Sequence, residues 1–175
     1  MELPDQTPVK EHHSMGSRTI ICAMGLLALP WRAWTQQVET RGPAAEEIAR
    51  LLEVHRADYL RGDADAWAAL YAVDATFVGD TVSGGERNLQ SRQAIRDYFA
   101  QVFKDFPTRT ANVSNVRIRI YNEGAMPTAI INIENSAQRT DVTGRRLDSH
   151  LHESLTWVKI QGKWLIVNHH FSSKG

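Results

Sequence analysis

A chain of 175 residues with 42% hydrophobic and 23% charged residues has the length and composition of one ordinary globular domain. Its Lys+Arg count of 20 matches its Asp+Glu count of 20, a formal net charge of +0, so no basic surplus marks nucleic acid or an anionic membrane as the main partner. The single cysteine, Cys22, lies in an N-terminal apolar run; once that run is removed, disulfides, cysteine–zinc sites and cysteine nucleophiles are excluded.

Residues 1–35 read as a signal peptide or N-terminal extension. A polar start carrying Lys10, His12, His13 and Arg18 leads into the apolar run from Thr19 to Leu29, which Pro30 closes. The run has the length of a signal-peptide core and is too short to span a bilayer. Export to the periplasm or beyond, without a stable membrane span, is the expectation. Met15 is an alternative start to Met1, and Ala33-Trp34-Thr35 is a weak small-x-small cleavage site. An uncleaved anchor and an apolar helix packed on the domain are the competing readings. Residues 36–43 read as a linker, and residues 44–173 as the domain.

Pro43 suits the first turn of a helix, with Glu46 and Glu47 near its positive end. Ile48, Leu52, His55 and Tyr59 then recur on one helical face. Gly62 stops this helix and Asp63 caps a short second one whose apolar side is Ala66, Trp67, Leu70 and Tyr71. The Arg61-Gly62-Asp63 triplet spells an adhesion motif, but a junction between two helix caps explains it better. Thr76-Phe77-Val78 is a short strand candidate, and Gly79 to Arg87 a glycine-rich loop. Ser91 caps a third helix with Ile95, Tyr98, Phe99, Val102 and Phe103 on its apolar face.

Beyond Pro107 the periodicity changes to strands. Val113 to Tyr121, Thr128 to Glu134, His150 to Ile160 and Lys163 to Ser172 are separated by turns at Asn122-Glu123-Gly124, around Gly144 and at Gln161-Gly162. Helices first and an antiparallel meander second predict an α+β fold with three helices packed on one face of a curved sheet. Strict alternation along the last strand puts Trp164, Ile166, Asn168 and His170 on one face and Leu165, Val167, His169 and Phe171 on the other. Both faces carry large apolar groups, which points to a second copy of the chain packing on the outer face.

Three stretches carry a family resemblance: the helix ending Arg61-Gly62-Asp63 with Trp67-x-x-Leu70-Tyr71-x-x-Asp74-Ala75-Thr76-Phe77, the glycine loop before Ile95-x-x-Tyr98-Phe99, and the ending Gly162-Lys163-Trp164-x-Ile166-Val167-x-His169-His170-x-Ser172. Over Glu47 to Ser172 the chain resembles the nuclear-transport-factor-2-like superfamily. It is similar to its SnoaL-like and SgcJ-like bacterial branch and to the association domain of calcium/calmodulin-dependent kinase II. The resemblance implies a cone-shaped, cystatin-like domain that dimerises through its sheet. Functions in the group range from isomerases, cyclases and dehydratases to assembly domains, so the fold does not fix the function. The ketosteroid-isomerase positions fall on His55, Ser154 and Gly79, with Asp80 one residue off, so that triad is not carried over.

What remains is rich in histidine. His150, His152 and Ser154 share one face of the long strand; His152 takes the family's pocket-facing charged slot, and His170 matches its last-strand histidine. Asn132 stands where the kinase relative has an arginine. The candidate proton-transfer groups are His152, Asp80 and His170, because imidazole titrates near neutrality. The candidate ligand-binding residues are His55, Tyr59, Trp67, Asn132, His150 and Ser154. The His150-x-His152 spacing allows two metal ligands on one strand face, but no obligatory carboxylate partner is apparent, and neither a metal nor another cofactor is assigned. The readings that follow are a small-molecule site, with or without catalysis, and a non-catalytic homodimerisation or assembly module.

Overall fold

The computed structural model describes residues 42–80, 86–121 and 126–173. The expected signal segment and linker, apart from residues 42 and 43, lie outside the described residues. Helix α1, Pro43–Arg61, begins with proline in its first turn and ends at Gly62, whose φ of 72° is the left-handed cap a side chain disfavours. The Gly62 and Asp63 amides close on the carbonyls of Tyr59 and Asp58, at 3.1 Å each. Asp63 then accepts from the Ala66 amide at 2.9 Å and starts α2, Ala64–Ala69. The Arg-Gly-Asp triplet is therefore a cap-to-cap junction.

Two elements depart from the sequence reading. Tyr71 opens strand β1, Tyr71–Asp80, because the Leu70 carbonyl is already taken by the Ile166 amide of the last strand. The expected glycine-rich loop yields part of its length to strand β2, Glu86–Gln90, which pairs antiparallel with β1. Helix α3, Arg92–Asp105, follows, capped by Ser91. Strands β3 (Thr108–Tyr121), β4 (Thr128–Thr140), β5 (Arg146–Ile160) and β6 (Lys163–Ser173) complete one sheet in the order β2-β1-β6-β5-β4-β3. All neighbours are antiparallel except β1 and β6, which run parallel, so the sheet is mixed at that single joint.

Two bulges set which residues face the helices. In β3, Ser114 pairs with Glu134 and Arg117 with Asn132, leaving one extra residue on β3 at a point where Asn115 takes φ 51°. In β6, Ile166 pairs with Trp157 but Asn168 pairs with Thr156, so Val167 is the extra residue. Before this bulge Trp164 and Ile166 point into the core; after it the inward positions are His169 and Phe171. The core runs from Ile48 and Ile95 through Trp67, Tyr71 and Phe77 to Ile131, Leu155, Trp157 and Ile166, all nearly or fully buried.

Arg109 ties the helices to the sheet. Its guanidinium donates to the carbonyls of Tyr59 (3.1 Å) and Leu60 (3.2 Å) at the end of α1, and of Phe103 (3.2 Å) and Phe106 at the end of α3. The Tyr59 carbonyl is shared with the Gly62 amide, whereas the others lie where a helix runs out of its own donors. Arg109→Met is expected to cost about 2–4 kcal/mol by leaving the carbonyls of Leu60, Phe103 and Phe106 without this donor. Arg109→Lys should recover only part of that, because one ammonium cannot spread over two helix ends. Urea denaturation of the three proteins measures both.

Candidate active site

Between α1 and the helix-covered face of the sheet lies a cavity of about 300 Å³, with walls that are mostly apolar. Apart from the mutually paired Glu53 and Arg56 of α1, its polar groups are few. On β5, Glu153 accepts from Asn135 Nδ2 at 2.7 Å and meets His169 Nε2 at 3.2 Å. His169 Nδ1 lies 2.7 Å from the Tyr71 hydroxyl, which in turn lies 3.3 Å from His55 Nε2. The result is one continuous hydrogen-bonded chain, Glu153–His169–Tyr71–His55, assembled from β5, β6, β1 and α1.

Each member is positioned by ordinary packing. His55 stacks on the Trp67 ring, with centroids 4.7 Å apart and planes at 27°. His169 sits edge-on to Phe77 at 5.0 Å and stacks near Tyr71 at 6.2 Å. The side chains of His169 and Glu153 are only 5% and 10% exposed. Both nitrogens of His169 are engaged, one by Glu153 and one by Tyr71, so the chain's remaining hydrogen-bonding capacity lies at its two ends, the Glu153 carboxylate and His55 Nδ1.

The electrostatics follow from burial and pairing. Burial works against the charge on Glu153, yet the hydrogen bond and charge of His169, the Asn135 amide and the charge of Arg139 outweigh it and hold the carboxyl below its ordinary range. Burial, and then the nearby His169, push His55 well below the ordinary imidazole value. Burial, and then the Glu153 charge, push the Tyr71 phenol well above its ordinary value. The site therefore keeps a carboxylate ionised while its neighbours His55 and Tyr71 stay neutral.

A second polar corner lies on the same wall. Arg139 donates through Nε to the Tyr59 hydroxyl at 2.7 Å, and its guanidinium sits 6.0 Å from the Tyr59 ring. Two buried polar atoms nearby, Trp67 Nε1 and Asn135 Oδ1, have no protein partner.

Of the residues singled out from the sequence, His55, Tyr59 and Trp67 stand in the cavity wall. His150, His152, Ser154, His170 and Asn132 do not. Asn132 pairs with Ser154, Ser154 with His170, and His152 with Ser172, so all lie on the outward face, with Asn132, His150, His152 and His170 exposed. His152 and His170 do share a face, but it is the wrong one for this cavity. His150 instead meets the Ser136 hydroxyl at 3.0 Å. Asp80 ends β1 opposite Glu86, and its side chain is outside the described residues.

The reason for these misplacements is one residue of phase. On β5 the inward positions are Leu151, Glu153, Leu155 and Trp157. That phase is visible in the apolar pattern of Leu151, Leu155 and Trp157, and it is opposite to the one that carries His150 and His152. On β6 the bulge at Val167 hands the inward position from the parity of Trp164 to that of His169. Glu153, His169, Tyr71, Asn135 and Arg139 were thus missed as site residues. Among the described residues no three His, Cys, Asp or Glu side chains are grouped to hold a metal, and no helix is long and apolar enough to cross a membrane.

Comparison with known proteins agrees with this architecture. A solved structure from Xanthomonas campestris, provisionally assigned as a calcium/calmodulin-dependent protein kinase II association domain, is similar over 79% of this chain and 92% of its own, with 27% identity and a TM-score of 0.64. A provisionally assigned dehydratase of the nuclear-transport-factor-2-like family from Streptomyces avermitilis is similar over 74% and 96%, with 14% identity and a TM-score of 0.59. A provisionally assigned scytalone dehydratase from Novosphingobium aromaticivorans is similar over 75% and 85%, with 16% identity and a TM-score of 0.60. At these last two identities the likeness concerns the fold alone. A search of curated proteins gave no significant match. The model of the calcium/calmodulin-dependent protein kinase II association domain family matches residues 44–175, and the chain belongs to that family, within the nuclear-transport-factor-2-like fold.

Proposed function

We propose that this is a small-molecule domain of SnoaL-like type, whose cavity takes a compact, largely apolar molecule and whose Glu153 removes a proton from it. The observation that carries this reading is a buried carboxylate, kept ionised by hydrogen bonds, in the wall of an apolar cavity of about 300 Å³. A general base needs that combination: a charge available at neutral pH, little competing water and a neighbour that holds its orientation. The volume is at the small end of ordinary ligand sites. Isomerisation, cyclisation and dehydration all begin with such a step. Residues 1–35 are proposed to direct the domain out of the cytoplasm, which N-terminal sequencing of the fractionated protein tests.

Native mass spectrometry of the full chain, with and without a panel of small alicyclic and aromatic ketones, tests the binding. A stoichiometric adduct is expected with the unaltered chain and not with Ala49→Phe, which fills the cavity from α1. An adduct that survives Ala49→Phe, or the lack of any adduct across the panel, contradicts the proposal.

The family assignment supports a second reading, a non-catalytic assembly module. Half-buried Ile130 and Val158 on the outward face of the sheet suit pairing with a second copy. Sedimentation velocity should then show a dimer or larger species, and a monodisperse monomer at high concentration rejects it. The two readings are compatible, since the cavity and the outward face lie on opposite sides of the sheet.

A further inference from the structure

We propose that Tyr71 and His55 are a proton relay that returns to the ligand, at the His55 end of the cavity, a proton matching the one Glu153 removes. The inference rests on the small-molecule reading above. It starts from a feature that packing alone does not require: the hydrogen-bonded chain begins and ends on the wall of the same cavity, with Glu153 at one end and His55 at the other.

Each link has one donor and one acceptor, so the chain has two self-consistent directions. When His169 carries a single proton, on Nε2 toward Glu153, its Nδ1 accepts from Tyr71, and the Tyr71 oxygen accepts from His55 Nε2–H. When His169 carries a second proton, Nδ1–H donates to the Tyr71 oxygen. Tyr71 then donates to His55 Nε2, and His55 carries its proton on Nδ1. His55 is neutral in both states and changes only its tautomer. This agrees with a buried imidazole whose protonated form is strongly disfavoured.

The chemistry balances from the second state. Glu153 takes a proton from a ligand carbon as the carbon–hydrogen bond breaks, and that electron pair forms the new double bond. His55 Nδ1–H passes to the ligand atom that must gain a proton: a departing hydroxyl, which leaves as water, or the far carbon or oxygen of an isomerising system. Tyr71 passes its proton to His55 Nε2, and His169 passes Nδ1–H to Tyr71. The end state holds a protonated Glu153 and a neutral His169, with the relay reversed. Exchange with water after the product leaves resets it. The ligand loses one proton and gains one, the requirement of a dehydration or a double-bond isomerisation and not of a simple hydrolysis. Around this chain stand Asn135 on Glu153, Arg139 acting on its charge, the uncharged rings of Trp67, Phe77 and Phe171, and, on the same cavity wall as His55, the ion pair of Glu53 with Arg56.

Nitrogen-15 NMR of the histidine rings in the full chain tests the relay without needing a substrate. The proton on His55 is expected on Nδ1 wherever His169 Nδ1 carries a proton and on Nε2 wherever it does not, because Tyr71 links the two rings. In Tyr71→Phe this correspondence should be lost, with the backbone spectrum reporting that the fold is kept. A His55 tautomer that does not match His169 in the unaltered chain, or that matches it equally well in Tyr71→Phe, overturns the proposal. If the coupling is seen but native mass spectrometry finds no ligand, the relay stands as a property of the fold and the small-molecule reading is what has failed.

Discussion

Trp67→Ala is expected to destabilise the domain by about 3–5 kcal/mol, in the range for emptying a fully packed aromatic site. Trp67 is 2% exposed and touches four other rings: Phe99 at 4.0 Å, His55 at 4.7 Å, Tyr71 at 4.9 Å and Phe77 at 6.3 Å between centroids. Removing it joins a new void to the existing cavity and takes away the surface on which His55 is stacked. Trp67→Phe should cost clearly less. It keeps a ring in contact with Phe99, and it removes an indole N–H that is buried without a partner. Thermal and urea unfolding of both variants checks the ranking. A Trp67→Ala protein as stable as Trp67→Phe would mean that the ring cluster is not a rigid part of the site.

The second large effect is on the pH dependence of stability, and its sign comes from the direction of each shift. His55 has a folded pKa well below the ordinary 6.5. The unfolded chain therefore binds more protons than the folded one below that pH, and stability is full above about 6.5 and lost as pH falls. The loss approaches about 1.4 kcal/mol per pH unit between the two values. Tyr71 behaves in the opposite sense. Its folded pKa lies well above the ordinary 10, so the stability it contributes is full below 10 and lost as pH rises beyond it. Melting temperatures between pH 4 and 11 should therefore fall at both ends. In His55→Gln the acid limb should begin at lower pH, where carboxylates such as Glu153 take over. In Tyr71→Phe the alkaline limb should flatten. Unchanged limbs in these variants would place the responsible groups elsewhere.

The helices were legible in the sequence because their signals are local: Pro43 and Gly62 bracket α1, and Asp63 and Ser91 supply caps seen in the structure. The strand segments were legible for the same reason, through alternation and turn residues. The sheet order and the parallel joint between β1 and β6 were not, since pairing partners far apart in sequence leave no local trace. The site shows the same division. His55 was found because it shares a helical face with Ile48 and Tyr59. His169 was passed over in favour of His170 because one bulged residue, Val167, reverses the inward parity halfway along β6. Nothing in the composition of β6 announces that bulge; it is set by the register with β5. Glu153 carries no such local signal, and its role shows only once its partners Asn135 and His169 are seen.

A small molecule is expected to bind in the helix-covered cavity rather than on the outward histidine face. The most direct measurement is an NMR titration of the full chain with a small alicyclic ketone, read at side-chain resonances that separate the two faces. The prediction is that the Trp67 indole and the His55 and His169 rings shift together and saturably, while Trp157, buried away from the cavity, and His150, His152 and His170 stay in place. Shifts confined to His150, His152 and His170, with Trp67 and His169 unmoved, would contradict it and return the site to the outer face of the sheet.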